Sequence, residues 1–187
     1  MSKTFKIDNI LPLIDHGHLD FGENKIQEAV DKWTKIKEQK KSIKLHMIGK
    51  LQTNKVKVAV RLFDFIHSVD SEKLAKKIAE EQAKIKRNVK IFIQVNIGNE
   101  IQKSGIDQSA IQNLILFCKD LGLDVIGLMC IPPANSDPTG YFKKMNEINN
   151  SIDLNELSMG MSSDYLEAAR NNSTYLRIGS SIFGRRS

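Results

Sequence analysis

The residue types best suited to chemistry lie near the two ends of this chain. Lys3, in "MSKTFK", is either one more solvated charge in a terminus, the ordinary fate of such a residue, or a reactive amine. Close to the other end, the loops "MGMSSD" and "RIGSSIFG" carry Ser162, Gly179 and Ser180. Gly179 lets a ligand approach the backbone, and with Ser180 and Ser181 it can aim amide N–H groups at one point where a last helix opens. Ser162 can add a hydroxyl from the neighbouring loop. "GSS" alone reads as a small-residue turn with a serine cap; two such loops on adjacent strands favour phosphate. Arg177 falls two residues before Gly179, at an inward position of a strand pattern. Its guanidinium stays charged and needs a carboxylate, a phosphate or a ring-nitrogen acceptor, so a structural ion pair and a ligand contact both satisfy it.

The remaining candidates carry weaker signals. His46, in "LHMIGKLQTNK", and His67 fall in or near strand ends, where a satisfied core histidine is the default and His46 is the better site candidate. His16 and His18 sit in a turn, and an HxH pair without a third ligand is poor evidence for metal. Asn24, in "FGEN", reads as a helix N-cap or as a ligand hydrogen bond. Lys103 and Ser104, in "EIQKSG", either reach the same mouth or form a basic loop. Cys118 and Cys130 have no spacing that suggests metal or a disulfide framework, and are read as reduced, buried thiols.

The elements that must position these residues alternate along the chain. "LDFG" leads into a helix over 24–39, "KLHMIG" into one near 54–61, and "FDFIHSV" into one over 71–86 with Leu74, Ile78 and Ile85 on one stripe. Then come "VKIFIQVN" with a helix over 107–121 ended by Gly122, "LDVIGLMCIPP" with a helix carrying Phe142, Met145, Ile148 and Ile152, "ELSMGM" with a short helix, and "YLRIG". The segments at 89–95 and 123–131 are nearly continuous in apolar residues, as strands buried on both faces are. The pattern is parallel α/β with seven strands, and "SKT", followed by a helix over 7–16, reads as the tail of an eighth. Eight strands close a (β/α)₈ barrel, whose usual length is about 250 residues, so 187 residues is short and the shortage falls at the N-terminus. No linker or repeat breaks the alternation, which predicts one domain over 1–187.

Composition narrows the classes of function. A net charge of +6 arises from lysines spread along helical faces such as "EKLAKKIAEEQAKIKR", where acids alternate with bases, and aromatic content is only 6%. Both features weigh against a nucleic-acid surface, which clusters its charge beside stacking rings. No apolar run has the length of a membrane span and the opening residues lack a secretion signal, so the expected location is cytoplasmic.

The blocks "FGENKIQEA", "LHMIGKLQTNKVK", "IHSVDS", "IQVNIGNEIQKSGI", "GLMCIPP", "LSMGMSSDYLEA" and "LRIGSSIFGRR" together resemble the pyridoxal 5′-phosphate homeostasis proteins (YggS/PROSC type), which are similar to the N-terminal barrel of alanine racemases. Leu45 stands where an aromatic residue is usual and Cys130 where threonine is common; neither removes a ligand. The resemblance implies a TIM barrel of the alanine-racemase N-terminal type with strand one largely missing here. It also implies a Schiff base between Lys3 and pyridoxal phosphate, with Ser162, Gly179 and Ser180 at the phosphate, Arg177 at the pyridine nitrogen, and Asn24 and His46 near the ring. Partial desolvation near Arg177 would help Lys3 lose the proton it must lose to attack an aldehyde. The implied role is non-catalytic: a monomer that holds the cofactor and passes it to apo-enzymes, without membrane or nucleic-acid partners. The alternative is an amino-acid racemase, which needs a second acid/base and a cover that alanine racemases take from another domain and a partner subunit. Other readings are a phosphate-binding barrel enzyme acting on another metabolite and a basic nucleic-acid partner.

Overall fold

The structure is a computed structural model that describes residues 1–100 and 102–184. Seven strands form one sheet: β1 (Asp20–Glu23), β2 (Lys44–Met47), β3 (Phe65–Val69), β4 (Lys90–Val95), β5 (Asp124–Cys130), β6 (Glu156–Met161) and β7 (Tyr175–Arg177). Each pairs in parallel with the next in chain order, which a curling sheet achieves only when every crossover runs over the same outer face. The outer layer is α1 (Ile7–Asp15), α2 (Ile26–Gln39), α3 (Val56–Leu62), α4 (Glu72–Ile85), α5 (Ile111–Asp120), α6 (Thr139–Ser151), α7 (Tyr165–Arg170) and the single turn α8 (Ser180–Phe183). Two 3₁₀ turns, Thr53–Lys55 and Gln108–Ala110, lead into α3 and α5, where the sequence pattern predicts continuous helices. None of the described helices is long and apolar enough to cross a membrane.

Local chemistry accounts for the boundaries. The Ser71 hydroxyl accepts the Leu74 amide and starts α4, whose buried stripe includes Leu74, Ala75 and Ile78, with Ile85 half-buried at its end. Lys86 then takes a left-handed conformation, and Gln82 Oε1 accepts the Val89 amide at 2.7 Å, tying the end of α4 to the start of β4. Gly122 has φ +71° just beyond α5, a conformation that favours glycine. The main core lies between sheet and helices, with Trp33, Phe63, Ile78, Ile91 and Phe142 fully enclosed. A second apolar cluster, Phe65, Phe92 and Met129 with Tyr175 against it, fills the inside of the curled sheet.

Among the described residues β1 and β7 do not pair with each other. The first residues lie between them: the Ser2 amide donates to Gly22 O of β1 at 3.0 Å, and the Met1 amine donates to Ile178 O just past β7. Residues 1 and 2 thus occupy the gap between β1 and β7 where an eighth strand would run, without themselves being a regular strand. Lys3 and Thr4 form a turn closed by the Phe5 amide on Ser2 O (3.2 Å), with Thr4 at φ +69°.

Strand spacing leaves no room for a side chain at Gly127 on β5, where a Cβ would lie 1.9 Å from the Glu156 carbonyl oxygen of β6. Gly127→Ala is expected to lower stability by about 1–3 kcal/mol, read as a lower urea midpoint at unchanged m-value.

Candidate functional site

The strand ends and the loops after β6 and β7 converge with the opening residues on a cavity of about 250 Å³. Its walls include Lys3, Phe5, Met161, Ser162, Gly179 and Ser180, so the lysine near the start of the chain and the small-residue loops near its end face one another. The turn at Lys3–Thr4 presents a half-buried lysine there. Opposite, the Gly179 amide donates to Ser162 Oγ at 3.0 Å, joining the two loops. A Cβ at Gly179 would lie 3.3 Å from Met1 O, so only glycine lets the first residue and the β7 loop come this close without displacement. The amides of Ser180 and Ser181 open α8 and have no acceptor within it. No carboxylate lines this cavity among the described residues, so an anion entering it meets hydroxyls, amides and a lysine rather than like charge.

A smaller cavity of about 70 Å³ adjoins it through Met1 and is lined by Asp20, Gly22, His46, His67, Tyr175 and Arg177. These side chains form one hydrogen-bonded run across the inside of the sheet. Asp20 Oδ1 lies 3.0 Å from His46 Nε2, His46 Nδ1 lies 3.0 Å from His67 Nε2, and His67 Nδ1 lies 2.8 Å from Ser158 Oγ. Arg177 Nη1 donates to Ser158 Oγ (2.7 Å) and Ser158 O (2.6 Å), while Nη2 donates to Cys130 O (2.7 Å). One proton assignment satisfies every link. Ser158 O–H donates to His67 Nδ1, His67 Nε2–H to His46 Nδ1, and His46 Nε2–H to the Asp20 carboxylate. Burial above all, and then the neighbouring His46 ring and the Arg177 charge, holds the His67 pKa well below its ordinary value. The hydrogen bond from His46 lowers that of Asp20. The rings are also clamped by stacking, His46 on Phe65 and His67 on Phe92, each at 4.3 Å.

Lys3, Ser162, Gly179 and Ser180 thus gather at the larger cavity, whereas His46 and Arg177 belong to the smaller, inner one. The histidine alternatives resolve toward satisfied core groups that also line a cavity. Arg177 is buried and makes no ion pair among the described residues: it is 5% accessible, bound to a hydroxyl and two carbonyls, and three of its five N–H groups are thereby used. Asn24 lines neither cavity and is not a helix cap, because α2 begins two residues later with Lys25 as N-cap. The chain after β1 is instead held against the loop after β2, where a Cβ on Gly49 would lie 2.3 Å from Asn24 O, and Asn24 Oδ1 is buried without a partner. Lys103 and Ser104 line a different opening with Lys50, Gln94 and Asn96. His16 is exposed, His18 contacts Asp20 O, and no metal-binding cluster occurs among the described residues. Both cysteines are buried and free, their thiols pushed up to about 12 by burial. Sequence reasoning missed Asp20 and Ser158. The signal available was the period of two that places Ser158, like Arg177, on an inward face.

The profile of the family described as "Alanine racemase, N-terminal domain" matches residues 3–187. The pyridoxal phosphate homeostasis protein of Aquifex aeolicus is 34% identical over 195 residues, covering 99% of this chain and 85% of its own length. That of Vibrio cholerae is 35% identical over 197 residues, covering 100% and 84%. Among solved structures, PipY of Synechococcus elongatus with pyridoxal phosphate bound superposes with a TM-score of 0.90 at 31% identity, covering 98% of this chain and 90% of that one. Alanine racemase of Clostridium difficile shares the fold, with a TM-score of 0.73 at 12% identity, 98% of this chain matching 52% of that one.

A histidine kept neutral by folding ties stability to pH. The unfolded ring takes up a proton near its ordinary value of about 6.5, while the folded ring does so only well below it. The unfolded state therefore binds more protons in that window, and stability falls as pH drops below about 6.5. Thermal unfolding between pH 7 and 5 is expected to show this slope, and His67→Asn to flatten it; an identical slope in the variant would assign it elsewhere.

Proposed function

This chain belongs to the alanine racemase N-terminal domain family, and from that membership we propose that it binds pyridoxal 5′-phosphate and serves the homeostasis of that cofactor rather than turnover of a substrate. The observation that carries the proposal is the meeting of Lys3 with Ser162, Gly179 and Ser180 around one cavity free of carboxylates. Lys3 lines this cavity and its amine would hold the cofactor through the aldehyde, once the ammonium has lost its proton. Ser162, Gly179 and Ser180 receive the phosphate through hydroxyl and amide donors. Arg177, with Nε and one Nη2 hydrogen lacking acceptors among the described residues, would donate to the ring nitrogen from the inner cavity, which His46 also lines, whereas Asn24 stands outside both cavities.

Such a cofactor supplies an electrophilic aldehyde and an electron-withdrawing ring, and an arginine donor at the ring nitrogen weakens that withdrawal by leaving it unprotonated. Lys3 is the sole titratable side chain lining the cavity among the described residues. Racemisation needs two acid/base groups, one on each face of the substrate carbon. No tyrosine lines the larger cavity among the described residues: Tyr175 lines the inner cavity, packed against His46 and Phe92, Tyr141 packs on the outer core, and Tyr165 lines an adjoining opening that shares Ser162 and Ser163. The molecule is a monomer in the cytoplasm that releases its cofactor to pyridoxal-phosphate-dependent apo-enzymes.

Incubation with pyridoxal phosphate, borohydride reduction and peptide mass mapping are expected to place the label on Lys3 and to lose it in Lys3→Ala. Label spread evenly over surface lysines would overturn the proposal. D-alanine formed from L-alanine by the purified chain would replace it with the racemase reading.

A further inference from the structure

Among the charged residues of the motif "FGENKIQEAVDKW", none of which the site above uses, Glu23, Glu28 and Lys32 are bonded to the opening segment of the chain. Lys32 and Glu23 are buried, their side chains 8% and 0% exposed, and Lys32 Nζ donates to Glu23 Oε1 at 3.0 Å. Burial of both charges is costly and asks what they hold. Lys32 Nζ also donates to the backbone carbonyl of Ser2 at 3.0 Å and lies 3.4 Å from Glu28 Oε1. Glu28 Oε1 in turn accepts the backbone amide of Thr4 at 2.6 Å. Glu23 Oε1 takes the Ser2 hydroxyl at 2.7 Å and the Trp33 indole N–H at 2.9 Å. The residues on either side of Lys3 are therefore both fastened to α2, one through Lys32 and one through Glu28, and the fasteners are paired with each other (i, i+4). Thr4 is β-branched with φ +69°, a conformation that persists only when its surroundings impose it.

We infer that Lys32, with Glu23 and Glu28, is a positioning device that clamps the Ser2–Phe5 turn from both sides and so aims the Lys3 amine at the Gly179–Ser180 loop. None of the three touches the larger cavity. They act through the backbone, by removing the freedom of a segment next to the chain's first residue. The inference rests on the reading of Lys3 as the cofactor's anchor and goes beyond it, because the clamp specifies which residues make Lys3 a better nucleophile than the exposed lysines.

The test follows the rate at which Lys3 is labelled. The full chain is mixed with limiting pyridoxal phosphate, quenched with borohydride over a time course, and mapped by mass spectrometry. Label on the exposed Lys50 of the same sample serves as internal reference, and thermal unfolding is measured in parallel. Lys32→Met and Glu28→Ala are expected to slow Lys3 labelling relative to Lys50 by about 10–100-fold, the scale of a misplacement near one ångström. Lys32→Arg, which keeps the charge and a donor, is expected to recover most of the rate. Glu28→Ala leaves the Lys32–Glu23 pair intact on a partly exposed helix, so it decides the matter if Lys32→Met unfolds. Folded Glu28→Ala with a wild-type Lys3-to-Lys50 ratio overturns the clamp while leaving Lys3 as anchor. Absence of Lys3 label in the unmodified chain is a different observation, and overturns the anchor reading and the clamp together.

Discussion

A guanidinium that cannot discharge lies inside this sheet, and much of the interior is arranged around it. Arg177 is charged at any pH the folded chain meets, even though burial lowers its pKa. An unpaired charge in such a place is tolerated only when dipoles replace the lost water. Here the dipoles are Cys130 O on β5 and the carbonyl and hydroxyl of Ser158 on β6, with the arginine itself on β7. One side chain thus ties three successive strands at the level where the loops of the candidate site begin.

The same charge gives direction to the interior polar run. Once the Ser158 oxygen is engaged by Arg177, its hydroxyl proton points to His67, and the preference passes through His46 to Asp20 near the start of β1. A cation at one end and a carboxylate at the other polarise each link in the same sense, which strengthens the whole. The aromatic floor of Phe65, Phe92 and Tyr175 shields the run, so the two histidines serve as satisfied core groups, the sequence's default reading of them, with one edge on the inner cavity.

A second buried charge system, centred on Lys32 and Glu23, governs the opposite wall. The two systems share β1, through Asp20 and Glu23, and support different walls, one anchoring β7 and the other the turn at Lys3. The C-terminal wall rests on strands, whereas the N-terminal wall rests on two side chains of α2 reaching a short segment. The amine side of the site is therefore the side whose geometry depends on individual ionic contacts.

Periodicity alone determined the alternation of seven strands with helices, because a sheet buried on both faces demands unbroken apolar runs such as "KIFIQV" and its covering helices demand a single apolar stripe such as that of α4. Glycine and serine spacing around 160–162 and 179–181 likewise marked two small-residue loops, which meet at one cavity. What the sequence left open depends on contacts between segments far apart in the chain. That Arg177, read as an ion pair or a ligand contact, meets carbonyls and a hydroxyl, and that Asn24, read as a cap or a ligand contact, is held beside Gly49 instead, depends on where β5, β6 and the loop after β2 lie. Local pattern reports what a residue prefers to bury; a polar residue with several acceptable partners acquires one only from the tertiary structure, which decides which partner is within 3 Å.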